Sequence, residues 1–435
     1  MNNLFNKFKN HKGFAIMVVY FAISVLLIFS GVFVNQSMSQ NNIANVYKRQ
    51  TQALDAADAG LDHAIIWLRA QGAPPVGNYT NPWGSTQNLS GSYSVVITDL
   101  GLVGGSSTIR RYAVVSTGTS GNMSRVLRNY VQVDNYARYI WYTDRETFNG
   151  TNIWFWSQDS LNGPTHTNGH FNIYGNPVFG GEARSVDDYI RFYNNGNNVN
   201  LSQTTNAPYD NPNFQQGLTF GADQSTMPST ALSLRSAAST SGIYLTGDST
   251  VVLNSNGTIN VTNNNKSPKW NNKNMALPAN GALFVNNGNL TVSGTLNGRL
   301  TVGASKNVNI AGNILYASDP LTNPSSDDTL GIISETDIVI PNNAANNLTI
   351  DACLMALNTA FYLQDWDSGS PKGTLNIFGG VIQKERGPVG TFNASNGQKI
   401  TGYSKSYAYD ARLITAPPPF MPTTGDFITL SWEEI

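Results

Sequence analysis

A single cysteine in 435 residues leaves no disulfide framework, so stability has to come from packing. Cys353 falls in the apolar run LTIDACLMALNTAFYL and is expected to be an inert buried thiol. Charge is scarce too, at 12% of residues with a formal net charge of −1. No run of Lys or Arg occurs beyond the first thirteen residues, so no electrostatic footprint for nucleic acid is present. The chain has only four histidines. Neither a Walker motif, a nucleophile elbow nor a dinucleotide fingerprint appears, and Ser, His and Asp are not spaced as a triad. No cofactor is expected.

What the chain does have is Phe14–Val34, FAIMVVYFAISVLLIFSGVFV, without a charge and long enough to cross a bilayer as a helix. Residues 1–13 form a basic leader with Lys7, Lys9 and Lys12 and no acidic residue. The positive-inside rule keeps that leader in the cytoplasm and exports the chain beyond the apolar run. A cleaved secretory signal would be shorter, and Val34-Asn35-Gln36-Ser37 is a poor small-residue cleavage site. An uncleaved membrane anchor accounts for the run by itself.

Beyond it the helical pattern continues. Ile43, Val46, Gln50, Ala53, Ala57, Gly60, Ala64 and Leu68 follow one face, while Lys48, Asp55, Asp58 and Asp62 fall outside it. Gly72, Pro74 and Pro75 end it, giving one helix of roughly 85 Å from Phe14 to about Gln71. The small residues Ala56, Ala57 and Gly60 permit close approach of a sheet. Residues 91–135 then read as antiparallel strands: SYSVVITDL, STIRRYAVVSTGTSG and SRVLRNYVQVDNY.

Lys12-Gly13-Phe14 before the apolar run resembles the processing site of type IV prepilins. The resemblance implies a cut by a prepilin peptidase between Gly13 and Phe14, with the helix retained as an anchor. It also implies other pilin or pseudopilin subunits as partners. Most pilins carry Glu at the position held here by Val18. A carboxyl group at membrane depth costs on the order of 3 kcal/mol and is kept for subunit pairing. Val18 gives up that pairing, which fits a minor or tip subunit. Ala56-Ala57-Asp58-Ala59-Gly60-Leu61 resembles a segment of PilX-class minor pilins, with Asp58 where Glu is usual. A long helix followed by a small antiparallel sheet is the pilin arrangement, and the likeness runs to about residue 135.

Residues 136–435 exceed an ordinary pilin. From Gly281 on, short β segments recur between small-residue turns: ALFV, NLTVSG, TLNGRLTVG, NVNIAGNILYA, TLGIIS, DIVI, NLTIDACLMALN, GTLNIFGGVIQ. That density favours the rungs of a β-solenoid, with a β-sandwich as the competitor. The expected fold is therefore α+β followed by all-β. Segments 155–181 and 402–422 resemble a domain of unassigned function found after PilX-like N-termini in bacterial proteins. Pro417-Pro418-Pro419 gives a stiff segment, FITLSW a last strand, and the EEI ending holds no lipidation or sorting signal.

Candidate chemistry in this part is thin. His166 and His170 are four apart, but the Gly163-Pro164 turn and Gly169 argue against a helix that would bring them to one metal. Turn histidines bonded to nearby backbone are the expectation, with no metal. Asp327 with Asp328, Asp365 with Asp367, and Glu385 beside Arg386 could supply paired carboxylates, yet all sit in hydrophilic, turn-like surroundings. Strand alternation would put Asp365 and Asp367 on one face flanking Trp366, an arrangement suited to a sugar. Three functions remain open: a minor pilin or pseudopilin displaying a β domain, a membrane-anchored polysaccharide-active enzyme, or a simple anchored surface adhesin. The first is favoured, with binding of a glycan or surface rather than catalysis. The protein is then held in the bacterial inner membrane by one helix, its main domains exported.

Overall fold

The structure, a computed structural model, describes residues 12–84, 91–103, 106, 108–393 and 397–435. Lys7 and Lys9 of the leader lie outside the described residues. The chain divides into two compact units: Met1–Asp99 with Tyr112–Val131 and Thr429–Ile435, and Leu100–Arg111 with Gln132–Ile428.

In the first unit one helix runs from Lys12 to Arg69. Along its apolar half, Ile16, Phe21, Leu27, Ile28 and Phe33 are all exposed. A greasy surface with nothing packed on it suits lipid or neighbouring helices and is costly in water. Among the described residues this is the one helix long and apolar enough to span a membrane. From Ala53 onward the same helix buries Ala53, Ala56, Ala57, Leu61, Ala64 and Leu68. The expected stripe is thus shorter than its pattern: Ile43 and Val46 are exposed.

The helix packs on a five-stranded sheet in the order Tyr79–Thr80, Ser92–Leu102, Arg110–Ser120, Met123–Asn135, Thr423–Glu434. Tyr93, Val95, Ile97, Tyr112, Val114 and Leu127 form the sheet's buried side. Contact is close because two glycines permit it. A Cβ on Gly118 would run into the Ala53 carbonyl and the Ala57 backbone nitrogen, and one on Gly60 into the Ser116 hydroxyl. His63 Nδ1 lies 2.8 Å from Tyr93 Oη while its ring stacks 3.9 Å from that of Trp83. One expectation is corrected here. The last strand belongs to this small sheet: Ile435 N donates to Val126 O at 3.0 Å, and Arg125 pairs with Glu434 at 2.7 Å. The second part therefore does not extend through residue 435.

The second unit is built of parallel ladders. One runs, neighbour to neighbour, through Leu218–Thr219, Ala183–Ser185, Thr165–Thr167, Trp141–Arg145, the end of Pro371–Glu385, the end of Leu348–Ala356, Thr329–Ser334, Arg299–Ala304, Ala282–Asn286 and Ile243–Thr246. Every pairing in it is parallel. Stacked rungs give this pattern, whereas a sandwich of hairpins would give antiparallel pairs. Leu283, Val302, Ile332, Leu354, Val381 and Trp141 stand in register on the inner side, sharing one large apolar core. Their neighbours Phe284, Ile333, Met355, Ile382 and Tyr142 face outward into a second core.

The order of rungs is not the order of the chain. The strand at Trp141 lies mid-stack, and later strands step away from it to Leu218. The chain then crosses to the opposite end and returns rung by rung to Val381, which pairs with Trp141. At roughly 4.8 Å per strand that crossing is on the order of 40 Å. It is carried by residues 220–242, including the helix Leu232–Ser241, laid over the outward side chains. Met227, Ala231, Leu234 and Ala238 close the second core. Glu335 accepts from Ala231 N at 2.9 Å and pairs with Arg235 at 2.5 Å, fixing the crossing in place.

Candidate binding site

First and last coils of the stack meet at a seam, where Val381, Ile382 and Gln383 pair with Trp141, Tyr142 and Thr143. Arg386 sits at its centre, essentially without exposure. Its backbone N–H donates to Arg145 O and Thr147 O at 3.2 and 3.1 Å. Its guanidinium reaches Glu146 Oε2 at 3.2 Å, Trp154 O at 3.0 Å and Asp159 Oδ2 at 3.4 Å. It also lies 3.6 Å from the Phe155 ring centroid. Lys405 Nζ donates to both Asp159 oxygens at 3.1 Å, and Thr143 Oγ1 donates to Glu146 at 2.5 Å. Such a cluster tolerates burial because each carboxylate is paired and hydrogen-bonded.

Above this cluster is a groove of about 330 Å³. Alternation along short strands fills it with aromatics. Phe155 points into the core, so Trp154 and Trp156 point out; Ile173 is buried, so Tyr174 points out; Phe192 is buried, so Tyr193 points out. The rings support one another. Tyr174 and Tyr193 stack at 4.1 Å, Trp156 meets Tyr174 edge-on at 4.3 Å, and Trp156 and Phe392 lie nearly parallel at 6.2 Å. Trp366, Lys399 and Lys405 complete the lining. Lys399 Nζ stands 4.0 Å from the Phe392 ring centroid and has no hydrogen-bond partner among the described residues. Burial, reinforced by the Lys405 charge and opposed by Asp159, brings its ammonium down to about 7.

Of the residues singled out in the sequence, Trp366 lies in this groove. Asp365 and Asp367 do not flank it as strand neighbours. Residues 364–367 form a turn, Asp365 has φ 52°, and its carboxylate accepts from Asn342 Nδ2 at 2.8 Å. Alternation fails there because the strand Phe361–Leu363 has already ended.

The histidines are not turn residues sharing one environment. His166 belongs to the buried strand Thr165–Thr167, stacks on Tyr142 at 5.1 Å and 9°, and places Nε2 2.9 Å from Asn168 Oδ1. Burial lowers its pKa. His170 instead pairs with Asp187 Oδ2 at 2.8 Å and lies against Tyr189. Among the described residues no group of three or more His, Cys, Asp or Glu could hold a metal ion.

Two carboxylates expected in solvated turns are structural. Asp328 is buried, accepting from Gly298 N at 2.6 Å and Ser318 N at 2.8 Å; Asp327 is exposed. Glu385 pairs with Arg145 at 3.0 Å, and its neighbour Arg386 is the buried centre of the seam rather than a surface residue. Cys353 is fully buried in the second core, and burial pushes its thiol up. At the other end, Gly13 and Phe14 lie in the first turns of the long helix, which begins at Lys12, and Val18 is exposed along it. A Cβ on Gly13 would meet nothing within 4 Å. The groove was not expected from the sequence, although Trp154-Phe155-Trp156 is a compact apolar cluster in that sequence. Its alternation was the available signal; the partner coil at Phe392 and Lys399 was not foreseeable from spacing.

Residues 109–187 match the family described as a domain of unknown function, DUF4900. No curated protein matches the chain. Among solved structures it is similar to the competence-associated pilin ComZ from Thermus thermophilus. That likeness covers 89% of this chain and 97% of the other, at 13% identity and a TM-score of 0.35.

Proposed function

We propose that this chain is a pilin-like, membrane-anchored subunit that displays a β-solenoid for binding rather than catalysis. The observation carrying the reading is the long helix with two kinds of neighbour. Its first half is apolar and uncovered, while its second half is packed on a sheet through Ala53, Ala57 and Gly60. A helix that continues out of the membrane into a head can be cut at its cytoplasmic end and remain an anchor. Lys12-Gly13-Phe14 stands at that end, and Val18 removes the carboxylate that pilins of the main fibre use, which favours a minor, PilX-like or tip position. Prepilin peptidase and other pilin or pseudopilin subunits are the partners this implies. The β-rich unit contributes the aromatic groove, a surface suited to holding a ligand.

The test is the N-terminus of the mature protein. Mass spectrometry should find Phe14 first, with residues 1–13 absent, and Gly13→Leu should leave the leader attached. A wild-type chain that keeps residues 1–13 after export removes the pilin reading and leaves an anchored adhesin.

A further inference from the structure

From the groove we infer the class of ligand: a saccharide that carries a carboxylate, its sugar rings against Trp156 and Phe392 and its carboxylate on Lys399. This rests on the binding role proposed above and adds the chemistry of what is bound.

The groove has two unmet needs. Its half-buried aromatic rings offer flat apolar faces at little entropic cost, because they already brace one another. The C–H faces of sugar rings match such platforms. Its partnerless polar atoms are donors. Lys399 Nζ and Trp156 Nε1 both lack a hydrogen-bond partner among the described residues. The other cation of the groove is already matched, since Lys405 is held by Asp159 from below. The surplus is therefore one ammonium beside aromatic faces. A neutral sugar would cover the rings and leave the ammonium unanswered, whereas a small aliphatic acid would answer the ammonium and leave the rings bare. A sugar acid does both, through a charge-assisted hydrogen bond and stacking.

The groove also spans the seam. Trp154, Trp156 and Tyr174 come from the first coils, and Phe392 and Lys399 from the last. A ligand seated there bridges segments far apart in the chain and should raise the unfolding temperature of the β-rich unit.

Full-length protein in detergent micelles, titrated with trigalacturonate and with its methyl ester, tests the inference through tryptophan fluorescence and calorimetry. Trigalacturonate should bind about tenfold or more tightly than the uncharged ester of the same shape. Lys399→Met should bring the acid down to the affinity of the ester, with the ester unchanged and the fold intact by circular dichroism. Affinity for the acid should also fall as pH is raised from 7 to 9, because the amine loses its proton with only Asp159 opposing Lys405 around it. Equal binding of acid and ester, or an unaltered ratio in Lys399→Met, overturns the carboxylate assignment while leaving glycan binding in place. Failure of both probes to bind at millimolar concentration overturns the saccharide assignment with it, and Phe14 at the mature N-terminus would still uphold the pilin reading.

Discussion

Replacing Arg386 by Met should unseat the join between the first and last coils. Met keeps most of the side-chain volume, so the loss is electrostatic more than a matter of cavity. Four contacts disappear: the 3.2 Å pair with Glu146, the 3.4 Å pair with Asp159, the 3.0 Å hydrogen bond to Trp154 O and the guanidinium face over Phe155 at 3.6 Å. Asp159 keeps Lys405 at 3.1 Å. Glu146, with its side chain 1% exposed, keeps only the Thr143 hydroxyl and a 3.4 Å contact from Trp141 Nε1. Breaking a buried ion pair by removing one partner costs about 3–5 kcal/mol. Loss of the desolvated cation–π contact adds about 1–2 kcal/mol. Urea unfolding of the detergent-solubilised chain, followed by tryptophan fluorescence, should therefore report a loss of about 4–7 kcal/mol from the β-rich unit. Adding Glu146→Gln should recover about 2 kcal/mol, since the amide oxygen still accepts from Thr143 and no stranded charge remains. A loss below about 1 kcal/mol in Arg386→Met, or a double variant no better than the single, refutes the claim that the seam depends on this charge cluster.

Two further perturbations probe the rest of the molecule. Gly118→Val should push the sheet off the helix at Ala53 and Ala57, costing about 3 kcal/mol or more and exposing the stretch near Ala53 to limited proteolysis. Wild-type protection in that variant would show that the close approach is dispensable. Asp351 has its carboxyl raised to about 6, first by burial, with the Tyr316 N–H opposing and the Asp319 and Asp410 charges adding. The native state then holds this proton more tightly than the unfolded chain, so its contribution is full below about pH 4 and is lost as pH rises through about 6. Asp351→Asn should remove that decline and gain at most about 1 kcal/mol at pH 7.5 after solvent screening. An unchanged difference between unfolding midpoints at pH 5 and pH 7.5 would count against it.

What could be read in advance followed local periodicity. The helix, the strands Ser92–Leu102, Arg110–Ser120 and Met123–Asn135, and the runs after Gly281 all carry their pattern in neighbouring residues. The helix is specified by a period of 3.6 and those three strands by a period of 2. The runs after Gly281 are instead buried on both faces and show as short apolar runs between small-residue turns. The order of the stack is not local. Inner rung positions fall at Leu283, Val302, Ile332, Leu354 and Val381, with uneven spacing because loops of different length separate them. No repeat could therefore be counted. Residues 147–219 escaped for a further reason: their strands are two or three residues long, too short to show alternation except at Trp154-Phe155-Trp156.

The site was hidden by the same topology. Arg386 looked like a surface residue because Glu385 precedes it and Gly387-Pro388 comes after it, a composition that normally marks a turn. It is buried because residues Glu146 and Asp159, more than two hundred positions earlier, arrive from the other side of the seam. The groove is built likewise, with Trp156 and Phe392 each contributing one wall. A chain that starts its stack in the middle and finishes beside its own beginning couples site assembly to completion of the last coil. Ligand affinity and seam stability should therefore change together. Arg386→Met ought to weaken trigalacturonate although Arg386 does not line the groove, whereas Lys399→Met ought to weaken it while leaving urea unfolding without ligand no less stable than wild type. Sensitivity to Arg386 with normal unfolding would break that coupling, because the first coil would then be held in place without the cluster.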